Sequence, residues 1–162
     1  MSGTYSRPAP AVALRLLGVG SPHGDDQVGW FVVDGLRAAL QEPGVEVLRL
    51  DRPGPRLLDF FRGTSHVIIV DALRSDDAPG TPRHWDAVAT PVAPWRVGGV
   101  SSHGIGVQEV IALARELNQL PVRCDVLGIA GSAWEYGATL SQPVADAVPH
   151  AAAEIRRILA QR

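Results

Sequence analysis

Three polar positions in this sequence have residue types and a spacing that could bind a metal ion. The carboxylates of Asp25 and Asp26 directly follow an apolar, strand-like stretch, and Asp71 ends a second one. His103 starts a predicted helix further along the chain. In a parallel sheet, the carboxyl ends of the strands and the starts of the following helices share one edge, so these groups could converge. Two carboxylates and one imidazole suit a divalent metal and leave coordination positions open for a substrate.

Each of these residues also has a simpler structural interpretation. Either carboxylate of the Asp25-Asp26 pair could cap the helix that follows it, because acids are favoured at helix N-termini. Asp71 could cap a loop, and a lone histidine such as His103 is more often a packing residue than a ligand. His23 is a further candidate because of its position beside the acids. If Asp26 binds the metal, Asp25 should be the cap, and Asp25→Ala should then cost about 1 kcal/mol of stability rather than activity.

Two other kinds of chemistry have little support. The glycines of Gly18-Val19-Gly20 follow a strand, but the next glycine gives G-x-G-x-x-x-G rather than the spacing of a dinucleotide-binding turn. The adjacent acids would also place negative charge where a pyrophosphate must sit. No serine lies in a G-x-S-x-G motif, and Cys124 lies in the middle of a predicted strand. The pattern therefore argues against nucleotide binding and against nucleophilic catalysis.

The elements that must position these residues follow from hydrophobic periodicity. Strands are predicted at 12–19, 45–50, 66–70 and 122–129, with one exposed strand at about 84–89 in a proline-rich insert. Helices are predicted from Val28 to Pro43, at 56–62, at about 104–117 after a cap at Ser101 or Ser102, and after a cap at Ser141. This order predicts an α/β fold, a single-domain three-layer α/β/α sandwich around a twisted, mostly parallel sheet. We expect residues 1–10 to be a flexible tail and residues 11–162 to form the domain.

Composition limits the partners and the location that we expect. The chain has 162 residues and a net charge of −2, so it lacks the basic surface of a nucleic-acid-binding protein. No apolar run approaches the ~20 residues of a membrane span, and the N-terminus lacks the apolar core of a signal peptide. Cys124 is the single cysteine, which suits a reducing cytoplasm. We therefore expect a cytoplasmic protein without nucleic-acid or membrane partners.

Four short motifs occur in an order that is specific to one protein family. They are LGVGSP with GDDQVG at 17–29, VDA at 70–72, SHGIG at 102–106, and a closing pattern of Gly128-Ile129, Glu135, Gly137 and Leu140-Ser141. Together they resemble the nickel–iron hydrogenase maturation endopeptidases, and the resemblance runs from Leu14 to Leu159. Two departures concern the first motif: the loop between Gly20 and Gly24 is one residue shorter than usual, and Gln27 stands where glycine is common. Both leave open how Asp25 and Asp26 divide their roles.

The resemblance implies a fold, an activity and a set of site residues. Members of the family have one α/β domain and remove a short C-terminal peptide from the hydrogenase large-subunit precursor once nickel is inserted. Carried over by motif, the catalytic and metal-contacting residues would be Asp26, Asp71 and His103. The nickel would be carried by the precursor's own cysteines, and the protein alone would bind nickel or another divalent metal only weakly.

Two alternatives remain beside this interpretation. The same Asp/Asp/His trio could hold a resident zinc in a stand-alone metal-dependent hydrolase. The chain could also be a non-catalytic accessory protein that binds nickel or the precursor. Only a precursor-processing endopeptidase predicts the loss of a C-terminal peptide that depends on nickel loading.

Overall fold

The computed structural model describes residues 11–95 and 104–161, which form a five-stranded sheet between helices. The strands are β1 (Val12–Gly20), β2 (Val45–Asp51), β3 (Thr64–Leu73), β4 (Pro82–Asp86) and β5 (Arg123–Ala130). The helices are α1 (Val28–Arg37), α2 (Val107–Glu116) and α3 (Gln142–Ala160), with a first 3-10 helix at Gly24–Gln27 and a second at Gly54–Phe61. Along the sheet the order is β2-β1-β3-β5-β4. Only β4 runs antiparallel to its neighbour among these strand pairs, which confirms the predicted mostly parallel α/β fold.

The sheet has an apolar core on each face. Leu16 of β1 and Ile68 of β3 pack with α1 and α3, while Leu17 and Ile69 pack on the other face with α2 and the second 3-10 helix. Strands buried on both faces must be apolar at nearly every position, which is why β1 and β3 are continuous hydrophobic runs in the sequence. The three-layer arrangement is therefore confirmed. No helix within the described residues is long and apolar enough to cross a membrane.

Two glycines bring α1 unusually close to the sheet. A Cβ atom on Gly29 would lie 2.4 Å from the carbonyl oxygen of Val70, and one on Gly18 would lie 2.5 Å from the carbonyl oxygen of Gly29. Only glycine permits such an approach between backbones. The contact fixes the start of α1 over the carboxyl ends of β1 and β3, and it holds the first 3-10 helix, with both acids, at that edge.

Several predicted boundaries are wrong, each for a local reason. The first helix ends at Arg37 rather than near Pro43, and the Ala39 N–H donates to the Leu36 carbonyl three residues back, which tightens the turn at its end. Helix α2 begins at Val107, with Gly106 as its N-cap, instead of near Gly104 after a serine. The strand predicted at 84–89 is β4, and it is not wholly exposed, because the side chain of Trp85 turns into the core.

A buried carboxylate joins two histidines near the amino-terminal ends of β3 and β5. Asp125 is only 4% exposed, and its two oxygens each accept a hydrogen bond of 2.7 Å, one from Nε2 of His66 and one from Nε2 of His84. Burial alone would raise the pKa of Asp125, but the hydrogen bonds and charges of the two imidazoles outweigh it and hold that pKa well below its usual value. The cluster ties the edge strand β4 to the two strands beside it.

We expect Asp125→Asn to destabilise the fold by roughly 3 kcal/mol at pH 7, because it removes the charged acceptor of two buried hydrogen bonds. A depressed pKa in the folded state means that this contribution is present above the unfolded-state pKa of about 3.9 and disappears as the pH falls below it. Denaturant unfolding at pH 7 and pH 3 should therefore show a difference from wild type that shrinks in acid. Asp59→Asn, at a carboxylate that is 65% exposed, is the matched control. Equal stability of Asp125→Asn and wild type at pH 7 would contradict the assignment.

Candidate functional site

A cleft of about 190 Å³ opens at the carboxyl edge of the sheet. Asp26, from the first 3-10 helix, and Asp71, from β3, both line it, as does Gly104. His103 lies outside the described residues, so its predicted place in the site stays a prediction. Within residues 11–95 and 104–161, no three histidine, cysteine or acidic side chains gather closely enough to hold a metal ion. The described part of the cleft therefore offers a pair of carboxylates.

The two carboxylates are electrostatically coupled. Burial raises the pKa of Asp71, and the nearby charge of Asp26 raises it further. A hydrogen bond of 2.9 Å from the Ala72 N–H to Oδ1 lowers it only in part, so the pKa of Asp71 lies well above its usual value. A carboxyl group that resists ionising beside a second carboxylate favours keeping its proton or having a cation nearby.

A short hydrogen-bonded chain orients Asp26. The buried hydroxyl of Ser21 donates to Oδ2 of Asp26, and its oxygen lies 3.0 Å from Nδ1 of His23. Because the single hydroxyl proton goes to the carboxylate, the Ser21 oxygen accepts from the His23 N–H. The His23 ring also meets Tyr136 edge-to-face, with 5.2 Å between centroids. His23, a candidate from the sequence, thus lines the cleft and contacts Asp26 through Ser21.

Asp25 has a different role from the helix cap that the sequence suggested. Its side chain is fully buried and makes no cap to its own helix. It accepts hydrogen bonds from the N–H groups of Ser132 (2.8 Å), Ala133 (2.9 Å) and Ser141 (2.7 Å), and from the Ser141 hydroxyl (2.8 Å). Burial would raise the pKa of Asp25, but these four bonds lower it below the usual value. Asp25 therefore anchors the β5–α3 segment (131–141), and Asp26 is the acid that faces the cleft.

Gln27 and Gly24 reinforce this anchor. The Gln27 side-chain amide donates to the carbonyls of Gly24 (3.1 Å) and Ala138 (2.9 Å), which links the first 3-10 helix to the β5–α3 segment. Gly24 has a φ of +54°, and a Cβ there would lie 2.3 Å from the Ala133 carbonyl oxygen. The glutamine that departs from the family pattern is thus a structural tie in this chain.

Arginines at the mouth of the cleft were missed by sequence reasoning. Arg52 has a φ of +43°, and its side chain bonds to Asp51 at 2.7 Å. The guanidinium carbon of Arg74 lies 4.1 Å from the centroid of the Trp134 ring. Arg52, Arg74 and Trp134 all line the cleft. Their proximity depends on how the ends of neighbouring strands are placed, which the sequence pattern does not reveal.

The single cysteine is unsuited to catalysis. Cys124 is fully buried in β5, and burial raises the pKa of its thiol to about 12. At neutral pH the thiol stays protonated and has little nucleophilic character. Cys124 is therefore excluded as a nucleophile.

Comparisons with known proteins agree on one family. Residues 31–158 match the family model HycI, described as hydrogenase maturation protease. Among solved structures, the hydrogenase maturating endopeptidase HybD from E. coli is 25% identical, with a TM-score of 0.78 over 93% of each chain. The [NiFe] hydrogenase maturation protease HybD from Thermococcus kodakarensis is 22% identical, with a TM-score of 0.66 over 91% of this chain and 99% of the other. No curated protein sequence matches the chain.

Proposed function

The chain belongs to the hydrogenase maturation protease family, and from that premise we propose that it removes the C-terminal peptide of a nickel–iron hydrogenase large-subunit precursor after nickel insertion. The observation that carries the proposal is the coupled pair of Asp26 and Asp71 in one cleft at the carboxyl edge of the sheet. This edge is where open α/β sheets place their ligands.

Nickel enters this reaction as part of the substrate. In our proposal the precursor's cysteines hold the ion, and Asp26, Asp71 and His103 add weaker oxygen and nitrogen contacts. A cation between the two carboxylates would relieve the repulsion that raises the pKa of Asp71. The protein would thus recognise a composite surface, and the bound metal would position the scissile region and polarise it. Strong binding by the protein alone would instead extract the nickel that it has to inspect.

We further propose that the reaction takes place in the cytoplasm. The sole thiol, Cys124, is buried in β5, and a chain with one cysteine forms no internal disulfide. That cysteine usage suits a reducing compartment.

We expect cleavage of nickel-loaded precursor and no cleavage of nickel-free precursor, because nickel completes the surface that the three side chains contact. Mass spectrometry of both precursors, incubated with wild-type protein, measures the loss of the C-terminal peptide. His103→Ala should lose roughly 10–100-fold or more in activity, since even residues around metal ligands have effects of this size. His150→Ala, on the exposed side of α3, is the matched control. Calorimetric titration with nickel should show weak binding by the protein alone.

Three results would favour a different function. Equal cleavage of both precursors, or tight binding of nickel by the protein alone, would favour a stand-alone metallohydrolase. Binding of loaded precursor without any release of peptide would favour an accessory protein.

A further inference from the structure

The ends of two adjacent strands determine the position of Arg74 at the cleft. It follows the last residue of β3, and the ring that it stacks on, Trp134, belongs to the β5–α3 segment. Asp25 fixes that segment through the N–H groups of Ser132 and Ala133, immediately before the tryptophan. The guanidinium therefore lies above a platform that is itself anchored, at the same cleft as Asp71.

Arg74 differs from comparable arginines in having no carboxylate partner among the described residues. Arg52, on the same cleft, is paired with Asp51 at 2.7 Å. Arg49 makes a similar contact, with its guanidinium carbon 4.9 Å from the centroid of the Trp30 ring. Unlike Arg74, it also forms a salt bridge of 3.2 Å with Asp34. For Arg74, no salt bridge of 4.0 Å or less to a carboxylate occurs within residues 11–95 and 104–161. Within those residues its N–H donors are therefore not taken by a carboxylate.

The chemistry of the cleft indicates what this charge would bind. A guanidinium that is not paired with a carboxylate is matched by an anionic group of the ligand, and the anionic oxygen groups of a peptide are its carboxylates. The N–H donors of a guanidinium lie in its plane and form a fork that matches a carboxylate. Such charge-assisted, two-point contacts are strong and fix orientation.

We propose that Arg74 binds a carboxylate of the precursor and thereby sets where the scissile segment lies in the cleft. This inference rests on the proposed function, because it takes the hydrogenase precursor as the ligand. The carboxylate is either the side chain of an aspartate or glutamate near the cleavage site or the terminal carboxylate of the peptide to be removed. The contact is made outside the metal centre, so it strengthens substrate binding without taking part in bond cleavage.

The first test compares wild type, Arg74→Ala, Arg74→Lys and the matched stack variant Arg49→Ala on nickel-loaded precursor. Arg74→Ala should raise KM roughly 10-fold with kcat within about 2-fold, because it removes a charged hydrogen bond made equally before and during the reaction. Arg74→Lys should recover part of the loss, since it keeps the charge without the fork. Arg49→Ala should leave KM unchanged. An unchanged KM in Arg74→Ala would overturn the proposal.

The second test identifies which carboxylate of the precursor Arg74 binds. It also distinguishes direct binding by Arg74 from an indirect effect in which Arg74 only supports Trp134. Precursors with single Asp→Asn or Glu→Gln changes near the cleavage site, and one with a C-terminal amide, are assayed with wild type and with Arg74→Ala. One of these precursors should raise KM about 10-fold for wild type and add nothing for Arg74→Ala. If, for every precursor, the KM increase caused by Arg74→Ala multiplies with the KM increase caused by the precursor change, the two groups do not interact. Arg74 would then act on the fold alone, and the proposal would be overturned.

Binding measured by calorimetry distinguishes this inference from the proposed function. If wild type binds the precursor without cleaving it and Arg74→Ala binds roughly 10-fold more weakly, the proposed activity fails and the inference stands. If wild type cleaves the precursor and Arg74→Ala binds it equally well, the inference fails and the proposed activity stands. If wild type neither binds nor cleaves the precursor, both fail.

Discussion

Replacing Asp26 or Asp71 by asparagine should reduce cleavage of nickel-loaded precursor by roughly 100-fold or more while leaving the fold at least as stable as wild type. Asparagine keeps the size of the side chain but removes the charge that would contact the metal. It also removes one of two half-buried carboxyl groups, whose charges repel each other. Activity assays together with thermal melts measure both effects. Asp76→Asn, at an exposed carboxylate five residues beyond Asp71, is the matched control.

The raised pKa of Asp71 also predicts the direction in which stability changes with pH. The folded-state pKa of Asp71 is raised, so the folded protein keeps this proton after the unfolded chain has lost it. Stability should therefore fall as the pH rises from about 3.9, the unfolded value, through the folded pKa. Asp71→Asn should abolish that decline, and Asp26→Asn should reduce it, because it removes the charge that raises the pKa of Asp71. Parallel pH profiles for wild type and Asp71→Asn would contradict the coupling.

Asp25→Ala should destabilise the protein by roughly 3–5 kcal/mol, several times the effect of losing a simple helix cap. The substitution leaves the N–H groups of Ser132, Ala133 and Ser141 without their acceptor in a buried place. Equilibrium unfolding in denaturant at pH 7 measures the change. Asp34→Ala, at an exposed carboxylate on α1, should stay within about 0.5 kcal/mol of wild type.

Activity distinguishes the two adjacent acids. At a temperature where Asp25→Ala is still folded, it should retain more activity than Asp26→Asn, because only Asp26 lines the cleft. Lost activity with unchanged stability would show instead that Asp25 takes part in the chemistry.

The fold could be predicted from the sequence because its signals are local. Buried parallel strands are continuous apolar runs, and α1 and α3 have apolar residues at helical spacing, so neither needs distant contacts to be recognised. The boundaries were less predictable, since the end of α1 depends on a turn that bonds back to Leu36. The start of α2 at Val107 was likewise three residues later than the pattern indicated.

The site was predictable only to the extent that strand ends determine it. That rule placed Asp26 and Asp71 on one edge, and the structure puts both on one cleft. It could not assign Asp25, whose partners lie more than a hundred residues further along the chain. The hydrogen bond between Asp125 and His66 could not be predicted for the same reason, because it joins side chains 59 residues apart. Hydrogen bonds between residues that are far apart in the chain produce no periodic pattern in the sequence.

The anchoring of the β5–α3 segment limits how this enzyme can be recombined with its relatives. A chimera that receives residues 131–141 from another member would bring new backbone N–H groups to Asp25 and a new carbonyl to Gln27. Such a graft keeps its cleft wall in place only if its backbone presents these groups at the same positions, which exchanging the first 3-10 helix with it would secure. The two stretches, separated by most of the chain, therefore form one transferable unit, and efforts to change the specificity of the protein should exchange them together.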